Sequence, residues 1–488
     1  MCLADEESTY KSFAHNVGSL SFSTAFSGVG APETARLNLA QFFVSTITGL
    51  SLTTFALAPL FCIEWDHACQ GELLCGPHPP QCLFTNMLDF INPLVKQRVE
   101  QNIRTWSVDK LKELVTTGEL AIDSAYCVIH KTVCKLVRAM MHLAGPPCTD
   151  WSSQWCARQR EEGVTILCTL LWISQRLLMR ELLCIHENVA AFDLSLLADT
   201  LGHMYILFSS LINLEQLGWP VKRCRRFTIL VRRDILSEAL CTWEVFTESC
   251  RRLCNCSWKG FVIAAHSAIE DDMRWAEGRK ESLSNCKSKK QLINAITIEC
   301  QLFSLSKSDI AGVVKLAQES RYTMSLNAAE ARRLYRYRQL CMMRVGTLEH
   351  MVCLVSQDPD DHPQFSTGPV MSTLIKSASI CWAEGGISRP LTGVELLGAQ
   401  GFITDPSFSF NGATSSFLIN RDRNRVGQVN QAGNAMPVQM VGMAMLWASV
   451  AVQRQRLVRV SSNLSLFARM HRAIRSSGFE NGQDDPDA

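Results

Sequence analysis

"SFSTAFSGVG" (21–30), running on into "APETARLNLA" (31–40), is the stretch that decides the fold. A short β-prone run of Phe, Ser and Thr enters a turn carrying Gly28 and Gly30. Pro32 and Glu33 then open a helix. Glycine reaches the left-handed backbone that such a turn needs. Proline suits the first turn of a helix, and an acid there suits the dipole. Outward from this unit the pattern recurs. "LFCIEWD" (60–66) reads as a buried strand ending in an acid, and "QCLFTNMLDF" (81–90) as a strand ending at Asp89. "AMMHLA" (139–144) leads into a proline-rich loop. "VTILCTLLWISQRLLMRE" (164–181) has helical apolar periodicity and delivers "LLCIHENV" (182–189), a strand ending in Glu187 and Asn188. "RFTILVRRD" (226–234) is a further strand. Strands alternating with helices, with polar residues at the strand ends, predict an α/β chain: an open, doubly wound, Rossmann-like sheet. Such sheets take ligands beyond the C-terminal ends of their strands.

With 488 residues, 47% of them hydrophobic, the chain can bury a large core and divides into two domains. Formal net charge is +2, which excludes a global basic field, so any nucleic-acid surface is local. Twenty-one cysteines and no signal-peptide order at the start point to a reducing, intracellular compartment, the nucleus in a eukaryote. Two cysteine-rich runs, "HACQGELLCGPHPPQC" (67–82) and "CRRLCNC" (250–256), lack a CxxC pair matched by a second one, and no metal is expected. Gln41 to Ile63 carries no charge and is long enough to span a bilayer. It also holds Thr, Ser, Gly and Pro throughout and lacks basic flanks. The better reading is a helix, a turn and a buried strand, with no membrane partner. From about 236 to 388 helical pieces such as "LNAAEARRLYRYRQL" (326–340) alternate with polar loops such as "SQDPDDHPQF" (356–365), the texture of a second, smaller domain. Regular order returns with "SRPLTGVELLGAQGF" (388–402) and then "QAGNAMPVQMVGMAMLWASVAVQRQ" (431–455), a glycine turn into a long apolar helix.

The strand ends hold the candidate chemistry. In "GPPCTDWS" (145–152) two prolines stiffen the backbone before Cys148. That cysteine is either a small buried hydrophobe or a nucleophile on a loop of fixed shape. The glycine turn lacks the third glycine of a dinucleotide fingerprint, because Glu33 stands there; an acid at that place suits a positively charged cofactor. Glu64 can accept both hydroxyls of a ribose, Trp65 offers a face to an adenine, and Asp89 can accept from an adenine amino group.

Taken in order, "AFSGVGAPETA", "IEWD", "LDF", "GPPCTDWS", "ENV", "GWPVKRCRRF", "RPLTGVELLGAQGF" and "GNAMPV" resemble the motifs of the cytosine-C5 methyltransferases that use S-adenosylmethionine. The resemblance spans about residues 25 to 440. It implies a catalytic methyltransferase domain at 21–235 behind a leader at 1–20, and a target-recognition domain at 236–415. It further implies a return to the catalytic domain at 416–455 and a solvated tail at 456–488. Cys148 would add to C6 of cytosine, with Glu187 as the acid toward N3. Arg223 and Arg225, alternating on one strand face, would border the base, one reaching O2 and the other supporting the loop. Pro146, Asn188 and Val189 would line the base pocket. Phe26, Gly28, Gly30, Glu64, Trp65, Asp89, Phe90, Pro147 and Asn434 would hold the cofactor. The implied substrate is double-stranded DNA with its target cytosine flipped out. RNA is the alternative, as in the family's transfer-RNA branch, whose Cys-Phe-Thr signature does not occur between 236 and 388. A silent nucleic-acid-binding homologue would need damage at Cys148 or Glu187, and both stand. The chain departs from the family at Thr149 and Val221, where Gln is usual, and at Gly398, where Arg is usual.

Overall fold

In the computed structural model the chain is described over residues 13–102, 108–148, 165–235, 242–253, 257–262, 289–320, 326–348, 351–361, 363–372, 379–384, 387–402 and 425–457, with Lys11, Trp151, Thr323, Leu374 and Thr404 as isolated positions. The strands of the large sheet are β1 (Phe22–Ala25), β2 (Phe61–Ile63), β3 (Cys82–Phe84), β4 (Ser124–Cys127), β5 (Thr132–Lys135), β6 (Met141–Ala144), β7 (Leu183–Asn188), β8 (Tyr205–Asn213) and β9 (Cys224–Arg232). Among the described residues they lie in the order β5-β4-β3-β2-β1-β6-β7-β9-β8. Strands β3, β2, β1, β6 and β7 run parallel. Strand β9 enters antiparallel between β7 and β8, and the β4–β5 hairpin is antiparallel at the other edge.

This is a doubly wound, Rossmann-like sheet, and its order reverses at β1. From β1 the chain builds outward through β2 and β3, then returns to lay β6 on the other side. The crevice of such a sheet opens at that reversal. The glycine turn after β1 and the Gly-Pro-Pro-Cys loop after β6 therefore share one end of one crevice.

Alternation along the strands divides the core in two. Leu183, Ile185, Ile229 and Val231 face a cluster that includes Phe22 and Met141 and is covered by the helix Val438–Leu457. Cys184 and Leu230 face the opposite cluster, covered by the helix Ile166–Met179 with Trp172 fully buried. Side chains of a strand buried on both faces read as a continuous apolar run, which is why "LLCI" and "TILV" show no polar alternation. The last helix also packs on Ala31–Thr46, so the end of the described chain closes over its first crossover.

A second sheet, β10 (Met351–Leu354), β11 (Phe365–Ser366), β12 (Ile380–Glu384) and β13 (Ile387–Pro390), is antiparallel in the order β11-β10-β12-β13. Val352, Leu354 and Ile380 on one face join the large core. Met351, Cys353, Cys381 and Ala383 on the other pack with the helices Lys289–Leu302, Lys307–Glu319 and Ala328–Val345. The last of these starts with a capping box, Asn327 with Glu330, and stops at Gly346, whose φ of 78° suits glycine. Trp243, Phe246 and Trp258 belong to the large core, so the separate smaller core is built from residues after Lys289.

Several expectations need correction in detail. The strand in 81–90 stops at Phe84, because the Asn86 side chain accepts the Leu88 N–H and winds Met87–Phe90 into a 3-10 turn. Asp89 thus lies one turn beyond the strand. The glycine turn into a long helix expected at 431–455 is present, the helix running Val438–Leu457 after Pro437; a shorter helix, Arg425–Asn434, precedes the turn. Strand β8 and the β4–β5 hairpin are elements that the sequence pattern does not announce. The uncharged stretch 41–63 is the end of a helix, a 3-10 turn at Leu52–Thr54 and β2. Among the described residues no helix is long and apolar enough to cross a membrane.

Candidate active site

The turn after β1 holds three left-handed residues at alternate positions: Phe26 (φ 55°), Gly28 (φ 59°) and Gly30 (φ 87°). For Phe26 that is a strained position, tolerated because its N–H is held by the Ile63 carbonyl at 2.8 Å. Glu64, at the end of β2, fastens the turn from the side. One carboxylate oxygen accepts the Gly28 N–H at 2.9 Å, and the other accepts the Asp66 N–H at 3.0 Å. The group is 4% exposed, and burial pushes its pKa up to about 6. Beside it Trp65 is 65% exposed, its ring uncovered. A Cβ placed on Gly28 would meet nothing within 4 Å, so the turn borders open space. Asp89 is exposed and accepts the Thr85 hydroxyl at 2.9 Å.

Two cofactor-side expectations do not hold. Phe90 is fully buried, edge-to-face on Phe84 at 5.2 Å, and presents no surface to a ligand. Glu33 is turned inward: it accepts the Thr24 hydroxyl at 2.7 Å and the Cys62 thiol at 3.4 Å. Burial raises its pKa, which favours a neutral carboxyl rather than a partner for a cationic ligand.

Across the reversal, Gly145 leaves β6 with its N–H on the Ala25 carbonyl at 3.3 Å. It must be glycine. A Cβ there would sit 3.1 Å from a Glu187 carboxylate oxygen and 3.4 Å from the Met436 sulfur. Asn188 donates from its side-chain amide to the Pro146 carbonyl at 3.3 Å, and its side-chain oxygen accepts the Val189 N–H at 2.9 Å. Asn188 thereby locks the end of β7 to the proline loop. Pro147 and Cys148 are half-buried on that loop, which closes when the Trp151 N–H reaches the Cys148 carbonyl at 3.1 Å. Trp151 itself is buried on Phe192.

Around Cys148 the charges are set by three neighbours. Arg225 forms an ion pair with Glu187, Nε to Oε1 at 3.0 Å, both largely buried. Burial raises the Cys148 pKa, the Glu187 carboxylate raises it further, and Arg225 and Arg223 oppose them. Glu187 is likewise raised by burial, against Arg225 and Arg223. The resting pair is a thiol beside a carboxyl that holds a proton more readily than usual. The sequence predicts a helix after the loop that would help lower the Cys148 pKa; residues 149–150 and 152–164, including Thr149, lie outside the described residues.

Arg223 and Arg225 do different work. Arg223 is buried and donates to three carbonyls: Leu374 at 2.8 Å, Gly433 at 3.2 Å and Ala435 at 2.7 Å. It clasps the segment carrying "GNAMPV" against β9 and so places Met436 under Gly145. Asn434 sits between the clasped carbonyls with its side chain exposed. Gly145, Met436 and Leu374 were not singled out from the sequence. A glycine directly before two prolines at a strand end was a usable signal for the first; nothing marked Leu374.

The departures fit their surroundings. Val221 is fully buried in a β-bridge with Met371. Gly398 is buried, and a Cβ there would come within 3.1 Å of the Thr404 hydroxyl, so a larger residue would require that side chain to shift.

No family model matches the chain, and no curated protein matches it. Among solved structures it is similar to a prophage-encoded E. coli protein described as a DNA modification methyltransferase, at 15% identity and TM-score 0.42, covering 88% of this chain and 98% of that one. It is similar to the Dnmt2 methyltransferase of S. pombe at 9% identity and TM-score 0.41, covering 88% and 97%. It is also similar to the methyltransferase EhMeth of Entamoeba histolytica at 9% identity and TM-score 0.36, again covering 88% and 97%. Likenesses of this size decide neither substrate nor reaction, which rest on the residues at the crevice.

Proposed function

We propose that this protein is an S-adenosylmethionine-dependent DNA (cytosine-5-)-methyltransferase, with Cys148 as nucleophile and Glu187 as acid. One observation carries the reading: the Cys148 loop, the Glu187–Arg225 pair and the glycine turn meet at the reversal of a doubly wound sheet. The order of the motifs in the sequence supports it.

The residues present suit the cofactor. Glu64 would accept from its ribose, the uncovered Trp65 ring would stack on its adenine, and Phe26, Gly28 and Gly30 shape open space beside them. Pro147, Asn434 and Asp89 border the same end of the sheet. When bound, the cofactor supplies an electrophilic methyl group. C5 of cytosine is a poor nucleophile, and the chain's own residues correct that. Cys148 adds to C6 as its thiol proton passes through the Glu187 carboxyl group to N3, so that C5 becomes enamine-like. Arg225 holds the Glu187 carboxyl in place. After methylation the C5 proton is lost to solvent, the Cys148 thiolate is expelled and takes back the N3 proton through Glu187, and the ring is restored. A base within a duplex cannot reach a half-buried thiol, so the target must be flipped.

Glu64 carries a pH prediction. Ribose hydroxyls donate to an ionised carboxylate, and Glu64 is ionised above its pKa of about 6. Cofactor affinity is therefore full above that value and lost as pH falls through it. Calorimetry should give binding of roughly −8 kcal/mol at neutral pH, the low-micromolar range. Glu64→Ala should cost about 1.5–3 kcal/mol, the scale for hydrogen bonds to a charged group.

DNA is preferred to RNA because no Cys-Phe-Thr run occurs between 236 and 388. Bisulfite sequencing of plasmid and transfer RNA from one host expressing the protein tests the choice. New 5-methylcytosine in plasmid, absent with Cys148→Ser, supports the reading; methylation confined to RNA overturns the DNA assignment.

A further inference from the structure

Cys82 opens β3, Cys127 ends β4, His130 lies in the turn that follows and Cys134 sits on β5. Their ligand atoms all lie within 4.8 Å of one another. More tellingly, the three sulfurs surround a single ring nitrogen. His130 Nδ1 is 3.6 Å from Cys82 Sγ, 3.5 Å from Cys127 Sγ and 3.4 Å from Cys134 Sγ. Hydrogen bonding does not explain three such contacts, because one imidazole nitrogen either donates one proton or accepts through one lone pair. A tetrahedral metal does. With zinc–sulfur bonds of about 2.3 Å and a zinc–nitrogen bond of about 2.0–2.1 Å, sulfur and nitrogen lie about 3.5–3.6 Å apart across a tetrahedron edge.

We propose that Cys82, Cys127, His130 and Cys134 hold a structural zinc ion that staples the β4–β5 hairpin to β3. Four protein ligands close the coordination shell, the mark of a structural rather than a catalytic site. The local backbone is built for it. Lys131 takes a left-handed φ of 55°, and its N–H returns to the Cys127 carbonyl at 2.9 Å, which folds His130 back over Cys127. The hairpin also needs a fastening. Strand β4 pairs with β3 through one residue pair, Phe84 with Cys127, and Tyr126 and Val133 are exposed. The spacing hid this site. The run 67–82 contributes only Cys82, and its partners come from the hairpin.

The test uses the full-length protein purified under reducing conditions without chelator. Elemental analysis should find one zinc per chain, and cobalt exchanged into the site should show the intense visible ligand-field bands of a tetrahedral thiolate centre. Cys127→Ser and His130→Ala should each remove that equivalent. Cys75→Ser, an exposed cysteine outside the cluster, should keep it. Removing the metal should speed amide exchange across 124–135. If the variants do not fold, the cobalt titration of the unaltered chain still decides. Reduced protein that takes up neither metal, zinc retained in Cys127→Ser, or a disulfide among these cysteines in anaerobically prepared protein would each overturn the proposal.

Discussion

Cys148→Ser is expected to abolish methyl transfer, and Glu187→Gln to slow it by about 10²–10⁴-fold, the scale of a lost general acid. Serine keeps the size of the side chain but cannot supply a thiolate. Glutamine keeps the shape and can still accept from Arg225, yet has no proton to share toward N3. The second variant has a diagnostic side effect. The Glu187 carboxylate is one of the groups that raise the Cys148 pKa, after burial itself. Neutralising it should therefore lower that pKa, so alkylation of Cys148 speeds up at a given pH while methyl transfer slows. A merely structural role for Glu187 would move both in the same direction. Alkylation rates by peptide mass spectrometry, beside single-turnover methylation, separate the two; unchanged alkylation would show that the carboxylate does not act on the thiol.

Arg223→Ala should cost the fold more than any other change at the site. Its guanidinium is the shared donor for the carbonyls of Leu374, Gly433 and Ala435, from two distant parts of the chain. A buried polar group left unpaired costs about 1–3 kcal/mol, so losing all three donors should remove at least about 3 kcal/mol. Arg223→Lys should recover only a part, since one ammonium cannot fork across three acceptors. Urea denaturation should show the midpoint falling with its slope preserved. A midpoint within error of the unaltered protein would mean that the clasp does not hold the "GNAMPV" segment.

Much of the sheet was legible because its signals are local. The glycines after β1, the prolines after β6 and the unbroken apolar run of β7 each mark one strand end by backbone chemistry alone. They are the ends that meet at the reversal. What stayed hidden depends on contacts between distant residues. Phe90 looked like a ligand contact beside Asp89, and only the turn begun by Asn86 shows that it points into the core. Glu33 looked like a charge at a helix start, and only the packing of β1 on β2 shows it buried on Thr24 and Cys62. The alternation of Arg223 and Arg225 predicts one shared strand face, yet β9 begins at Cys224, Arg223 clasps carbonyls far along the chain and Arg225 pairs with Glu187. Their spacing is identical in kind, so it could not tell them apart. The β4–β5 hairpin has exposed Tyr126 and Val133 on short strands, which gives too little alternation to mark it in the sequence.

The central claim is that the thiol of Cys148 attacks the base. A duplex oligonucleotide carrying 5-fluorocytosine at a methylated position, incubated with the protein and S-adenosylmethionine, tests it most directly. Fluorine cannot leave as the C5 proton does, so the adduct should persist and map by peptide mass spectrometry to the segment containing "GPPCTDWS". The account predicts one adduct, on Cys148, formed only with cofactor present and lost in Cys148→Ser. An adduct on another cysteine, or one formed at the unaltered rate in Cys148→Ser, would contradict it.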